Sequence, residues 1–128
     1  MHITYNNENY GGDLRYITNK SGSWVRIIID KGGPGIDNSI TLDSSDKVHI
    51  SYYTMYHKKD FSAIMYVTNA KGSWVKKTID KLRTLKTRTL GEKIVYTSIA
   101  LDTSNKVHIG YYDKDKGILK HATNASRK

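Results

Sequence analysis

The amino-acid sequence predicts an all-β fold that is built from three imperfect copies of one repeat. The segment from Ser39 to Ile50 recurs from Ser98 to Ile109 with most residues unchanged. A second segment, Thr18 to Val25, recurs 50 positions later with the same Thr-Asn and Gly-Ser-Trp-Val elements. Between turn residues lie only short runs of β-branched and aromatic residues, which favours strands over helices.

Each repeat divides into four short strands, which we call a, b, c and d. The clearest examples of the four strands are residues 39–43, 48–53, 14–18 and 24–29, respectively. Four short antiparallel strands in a repeat of 40 to 50 residues are typical of a β-propeller blade. The sequence therefore predicts about two and a half to three four-stranded blades of a partial propeller.

The predicted blades are unequal because two segments are inserted between repeat positions. His2, His49 and His108 occupy one repeat position but are separated by 47 and 59 residues. A short insertion around Tyr56 and a longer basic insertion, 81–93, account for this difference. The blades are predicted at 1–38 (strands b-c-d), 39–97 (a-b-c-d with the insertion) and 98–128 (a-b-c).

Composition limits the classes of function. The chain has 21 Lys and Arg against 12 Asp and Glu, a net charge of +9, which favours anionic partners or simply a well-solvated surface. The absence of cysteine excludes disulfides and thiolate chemistry. No apolar run approaches the ~20 residues of a membrane span, and no signal-peptide pattern opens the sequence, so the localisation is left open.

The turn between strands c and d resembles a known propeller motif. The pattern Asn19-x-x-Gly22-Ser23-Trp24 and its repeat from Asn69 resemble the Asp-box hairpin of sialidase-like and lectin-like propellers. Asn replaces the usual Asp, and the glycine lies one position closer to the tryptophan. The whole unit is similar to the His-Ile-Ser-Tyr-Tyr repeats of microbial propeller proteins. The resemblance implies structural roles for six repeat residues: Asn19, Gly22, Trp24, Asn69, Gly72 and Trp74.

The same resemblance argues against an enzyme. Sialidases carry an arginine cluster, a tyrosine nucleophile and carboxylates across a complete propeller, and so few blades cannot present that set. No catalytic residue is therefore assigned, and no cofactor or metal site is predicted. The repeated histidines could suggest a metal or catalytic role, but we expect His49 and His108 to bond to Asp43 and Asp102 across the a–b hairpins.

Two groups of residues are candidates for ligand binding. Tyrosines at or just beyond the ends of the b strands could line a rim, and the basic insertion could bind an anion such as phosphate or an acidic sugar. These candidates are Tyr53, Tyr56, His57, Tyr112, Lys81, Arg83, Lys86 and Arg88. The preferred interpretation is a non-catalytic, lectin-like binding module. The alternatives are an anion or nucleic-acid binder acting through residues 81–93, and a scaffold that binds no small ligand.

Incomplete terminal blades also predict self-association. The first predicted blade lacks strand a and the last lacks strand d, which leaves apolar faces and strand edges uncovered. Two or three copies could complete a ring, and we expect a dimer. The alternative is that these residues are a piece of a longer chain, in which case contacts between copies would be improvised or swapped.

Overall fold

The computed structural model of the chain describes residues 1–7, 12–56, 59–83 and 96–126. This part of the chain is all-β and contains no α-helix. Its ten strands form three separate antiparallel sheets of three, four and three strands. The count and the order along the chain agree with the expected b-c-d, a-b-c-d and a-b-c series.

The strands follow one another in space as they do in the sequence. The first sheet contains β1 (His2–Asn7), β2 (Asp13–Thr18) and β3 (Val25–Lys31). The second contains β4 (Ile36–Leu42), β5 (Val48–Tyr56), β6 (Phe61–Thr68) and β7 (Val75–Arg83). The third contains β8 (Thr97–Leu101), β9 (Val107–Asp113) and β10 (Ile118–Thr123).

Two of the predicted boundaries are displaced. Strand β4 begins at Ile36 and β8 begins at Thr97, so each starts before the predicted blade limits at 39 and 98. In β4 the register shifts between Ile36 and Ser39, where Asp37 has a positive φ of 47°. A bulge of this kind adds residues to a strand without adding paired positions, so a simple alternation pattern does not reveal it.

The second sheet is buried on both faces because it lies between the other two. Every residue of β5 from Val48 to Thr54 is buried, although polar and apolar residues alternate there. One set of its side chains packs with Leu14 and Tyr16 of the first sheet. The opposite set packs with residues of the third sheet, including Ile109. The chain therefore has two inter-sheet cores, a first core between the first and second sheets and a second core between the second and third sheets.

The link between the first and second sheets contains a glycine that the packing requires. Gly35 has a φ of +59°, a region that L side chains rarely adopt. A Cβ atom at this position would lie 2.6 Å from Cδ1 of Leu14, a fully buried residue of the first core. Gly35 thus lets the connecting chain pass directly over Leu14.

The repeated asparagine ties each c–d turn to the start of strand b. Oδ1 of Asn69 accepts a hydrogen bond of 2.8 Å from the backbone NH of Val48. Oδ1 of Asn124 accepts a hydrogen bond of 2.7 Å from the backbone NH of Val107. Asn19 accepts the equivalent bond, of 2.9 Å, from the amino group of Met1. This shared bond gives the repeated asparagine a structural role.

Candidate ligand-binding site

A buried carboxylate joins the first sheet to the second. Asp30, at the end of β3, is only 2% exposed, and its Oδ2 atom accepts hydrogen bonds from the hydroxyls of Tyr52 (2.8 Å) and Tyr56. The ammonium group of Lys76 donates to Oδ1 at 2.5 Å. Burial, together with the nearby carboxylate, raises the pKa of both tyrosines, so they remain protonated donors.

A similar cluster joins the second sheet to the third. Asp80 accepts hydrogen bonds of 2.9 Å from the Tyr111 hydroxyl and from the Lys120 ammonium group, which also bonds to Asp113 at 2.8 Å. The bonds to Asp113 and Asp80 raise the pKa of Lys120. Burial and the bond to Asp80 raise the pKa of Tyr111 to about 12. This cluster is more accessible to water than the Asp30 cluster, since the Asp80 side chain is 26% exposed.

The aspartate clusters were missed in the sequence, although a signal for them was present. Asp30 and Asp80 differ by the repeat offset of 50, and Tyr52 and Tyr111 differ by the offset of 59. Each pair therefore recurs at one repeat position. An aspartate that recurs at the end of strand d and a tyrosine that recurs inside strand b are the two partners of one inter-sheet bond.

An open groove lies between the second and third sheets. It has a volume of about 140 Å³ and is lined by Tyr66, Lys77, Ile79, Val107, Ile109, Ala122, Thr123 and Asn124. The floor is apolar and aromatic, and the polar lining groups come from Lys77 and from the end of β10. A cavity of about 150 Å³ can hold one benzene ring, so the groove matches a single ring in size.

The equivalent position between the first and second sheets is filled. There Trp74, which precedes β7, packs against the first core and meets the Tyr16 ring edge-on at a centroid distance of 5.3 Å. Tyr16 and Tyr66 occupy one repeat position, as do Val48 and Val107. The groove beside Tyr66 is therefore the position that a tryptophan occupies one sheet earlier.

Histidines form hydrogen-bonded chains of side chains in the second and third sheets. Nε2 of His49 lies 3.2 Å from Oδ2 of Asp43, and its Nδ1 lies 2.7 Å from the Tyr66 hydroxyl. In the third sheet, His108 lies 3.3 Å from Asp102 and 3.0 Å from Nε2 of His121. The expected His–Asp pairs across the a–b hairpins are thus present.

Acid should destabilise the chain through these carboxyl groups. Burial alone would raise the pKa of Asp43, but bonds from the backbone NH groups of Lys47 and Ser45 and from His49 outweigh it and lower the pKa. The pKa of Asp102 is lowered, first by the backbone NH of Lys106. A lowered folded-state pKa contributes stability that is present above the unfolded value, about 4, and is lost as the pH falls further.

We therefore expect the free energy of unfolding to fall as the pH decreases below about 4. Urea unfolding at a series of pH values measures this slope, which should be smaller in Asp43→Asn. Asp46→Asn is the matched control, because Asp46 is exposed and lies 3.7 Å from Lys20 in a solvated pair. An unchanged slope in Asp43→Asn would contradict the assignment of this effect to Asp43.

The structure separates the predicted rim tyrosines. Tyr53 is 4% exposed and packs in the second core, and Tyr56 is 7% exposed with its hydroxyl on Asp30. Neither ring presents a face to a ligand in this arrangement. Tyr112 is different, because it is 38% exposed on the outer side of the third sheet.

The basic candidates are only partly within the described residues. Lys81 lies in β7, and its ammonium group is 4.6 Å from the centre of the Phe61 ring, a cation–π contact. The backbone of Arg83 ends the same strand. The candidates His57, Lys86 and Arg88 lie outside the described residues, so their predicted roles remain predictions.

The two repeat tryptophans, for which the sequence predicted the same structural role, are not packed alike. Trp74 is half-buried against the first core, whereas Trp24 is 53% exposed. The physical reason is position: Trp24 belongs to the side of the first sheet on which no described residue packs as a neighbouring sheet. The glycines of the two turns behave alike, with φ values of +93° at Gly22 and +95° at Gly72.

The described residues contain neither a cluster of metal ligands nor a membrane-spanning helix. No group of three or more His, Cys, Asp or Glu side chains within them is arranged to hold a metal ion. They also contain no helix with the length and hydropathy needed to cross a membrane.

The described residues define an all-β protein with three successive antiparallel sheets. No protein-family model and no curated protein matches the sequence. Among solved structures, a fucose lectin from Kordia zhangzhouensis, solved in complex with methyl-fucoside, is similar to this chain with a TM-score of 0.55 and 19% sequence identity. The match covers 99% of this chain and 86% of the lectin chain. At this identity the comparison shows similarity of fold.

Proposed function

We propose that this chain is a non-catalytic, lectin-like module of a partial β-propeller that binds carbohydrate. The observation that carries the proposal is the fold shared with a fucose lectin over 99% of the chain. The antiparallel sheets, which follow the repeat, support the propeller interpretation, and the likeness of the c–d turns to Asp-box hairpins is part of the same proposal. A solved lectin complex makes a monosaccharide the first ligand to test.

We place the sugar in the groove beside Tyr66. Sugar rings present an apolar C–H face together with hydroxyl groups, and binding sites combine apolar walls with a few polar groups. Tyr66, Ile79 and Ile109 supply apolar surface, and the exposed Lys77 supplies an ammonium group at the edge. At about 140 Å³ the groove is smaller than common ligand pockets, which favours one sugar ring as the buried part of the ligand.

Replacing Lys77 with alanine should weaken sugar binding by roughly tenfold, because one hydrogen bond from a charged donor would be lost. Isothermal titration with methyl fucoside, mannoside and galactoside measures the effect, and a glycan array with multivalent display detects weaker ligands. Lys71→Ala is the matched control, since Lys71 is an exposed lysine of the adjacent turn that does not line the groove.

A second variant separates a wrong site from a wrong function. Ala122→Leu should narrow the groove, and the equivalent position already holds the branched residue Val67 in the second sheet, so this change should not prevent folding. Binding that is unaffected in both variants would exclude the groove. The absence of any neutral or anionic glycan ligand for the wild type would overturn the carbohydrate proposal itself.

The anion-binding alternative stays a separate prediction. If residues 81–93 bind phosphate groups, the affinity for single-stranded and duplex DNA must fall steeply between two salt concentrations. Binding to neutral sugars would be nearly insensitive to the same change.

A further inference from the structure

The second sheet shows what each face of this repeat packs against. We call the face of a sheet that is directed toward the preceding sheet its front face, and the opposite face its back face. Its front face carries Ile50, Tyr52 and Val67, which pack on the first sheet. Its back face carries Tyr53 and Ile64, which pack with the third sheet. Within the chain, a front face therefore always meets the back face of the preceding sheet, and this happens twice.

The terminal sheets expose the same repeat positions. Ile3 on the front of the first sheet is 40% exposed, whereas its counterpart Ile50 is 0% exposed. On the back of the third sheet, Leu119 is 79% exposed, while its counterpart Ile64 is 0% exposed. Large apolar side chains thus remain at positions that the middle sheet buries completely.

The two residues of the aromatic contact at the first interface each have a repeat counterpart on a terminal sheet. Trp74 on the front of the second sheet meets Tyr16 on the back of the first. The repeat counterpart of Trp74 is Trp24, which is 53% exposed, and the counterpart of Tyr16 in the third sheet is His121. His121 is exposed and stacks on His108 with a ring-centroid distance of 5.2 Å.

We propose that the front face of the first sheet binds the back face of the third sheet in a second copy of this chain. Trp24 of one copy then lies against His121 of the other, as Trp74 lies against Tyr16 within the chain. Ile3 and Leu119 are aliphatic, like the front and back residues that pack together at both internal interfaces, Ile50 with Leu14 and Ile109 with Ile64. A front-to-front pairing has no counterpart at those interfaces. The contact is heterologous, and in the proposed assembly two copies make it twice and close into a ring of six sheets.

The interface between copies should be weaker than those within the chain. The third sheet has three strands, and among its described residues it has no equivalent of β3 or β7, which supply Ile29 and Ile79 to the internal cores. The Asp30 and Asp80 bonds come from the same outer strands. The assembly should consequently dissociate on dilution.

Sedimentation equilibrium over a range of concentrations up to about 1 mM tests the proposal. The wild type should approach twice the 14.6 kDa mass of one chain. Ile3→Lys disables the front face, and Leu119→Lys disables the back face, so each variant alone should remain monomeric. Because both side chains are exposed in the single chain, neither change should prevent folding.

An equal mixture of the two variants is the decisive sample. Leu119→Lys retains an intact front face and Ile3→Lys retains an intact back face, so the mixture should form a dimer through one interface. Val75→Lys is the matched control and should dimerise like the wild type. Val75 is 50% exposed, but it lies on neither terminal face.

Three outcomes would overturn the proposal. The first is a wild-type chain that stays monomeric throughout the concentration range. The second is association of one single variant alone, which would indicate pairing between like faces. The third is a mixture that stays monomeric. Normal unfolding curves for the variants would show that these results reflect association and not loss of structure.

Discussion

Replacing Asp30 with alanine is expected to lower the free energy of unfolding by about 3 kcal/mol. The reason is that Tyr52, which is 0% exposed, would keep a buried hydroxyl with its main acceptor removed. Tyr56 would lose the same acceptor. The loss for Lys76 should be smaller, since its side chain is 39% exposed and can turn to water. Thermal unfolding should show a fall in Tm of roughly 10 °C.

Asp80→Ala is the natural control for this change because it removes the same repeat residue at the other interface. Its side chain is 26% exposed, and Lys120 would retain its bond to Asp113. We expect a loss of about 1 kcal/mol. Equal losses in the two variants would contradict the view that burial of the Asp30 cluster determines its larger contribution.

Removing the two tryptophan side chains should have very different effects on stability. Trp74→Ala should cost about 2 kcal/mol, less than the full removal of a buried aromatic, because Trp74 is half-buried against Tyr16 and the first core. Trp24→Ala should change the stability by no more than about 0.5 kcal/mol, since Trp24 is largely exposed. Urea unfolding of dilute protein measures both.

The dilute condition matters because association would stabilise the folded chain. At high protein concentration Trp24→Ala should lose some stability relative to the wild type, through the contact between copies. A large loss for Trp24→Ala in dilute solution would show that Trp24 is buried within a single chain, contrary to its 53% exposure.

The sequence was sufficient for those features that depend on one repeat. The strand order follows the order of the repeats. The tight turns at Gly22 and Gly72 lie within single hairpins, as do the bonds from His49 and His108 to aspartates. Local spacing is enough to bring such partners together, so the repeat pattern predicted them. The all-β class followed from the same local patterns.

Features that depend on neighbouring sheets could not be predicted in the same way. Tyr53 and Tyr112 occupy one repeat position, but one is 4% and the other 38% exposed. Their difference comes from what covers each sheet, and a similar local sequence carries no information about that. The groove beside Tyr66 likewise lies between two sheets, at a place that none of the described residues of the third sheet fills in the way that Trp74 fills its equivalent.

The repeated pairing of front and back faces has a consequence for how such chains change over evolutionary time. A duplicated repeat added to either terminal sheet would meet a surface that already matches it, so an array of this kind can lengthen without the selection of a new interface. The middle sheet evolves under constraint from two neighbours, whereas each terminal sheet has one neighbouring sheet among the described residues. Sequence change at Ile3 and Leu119 among related chains would therefore indicate whether contact with another molecule has kept those two faces under selection.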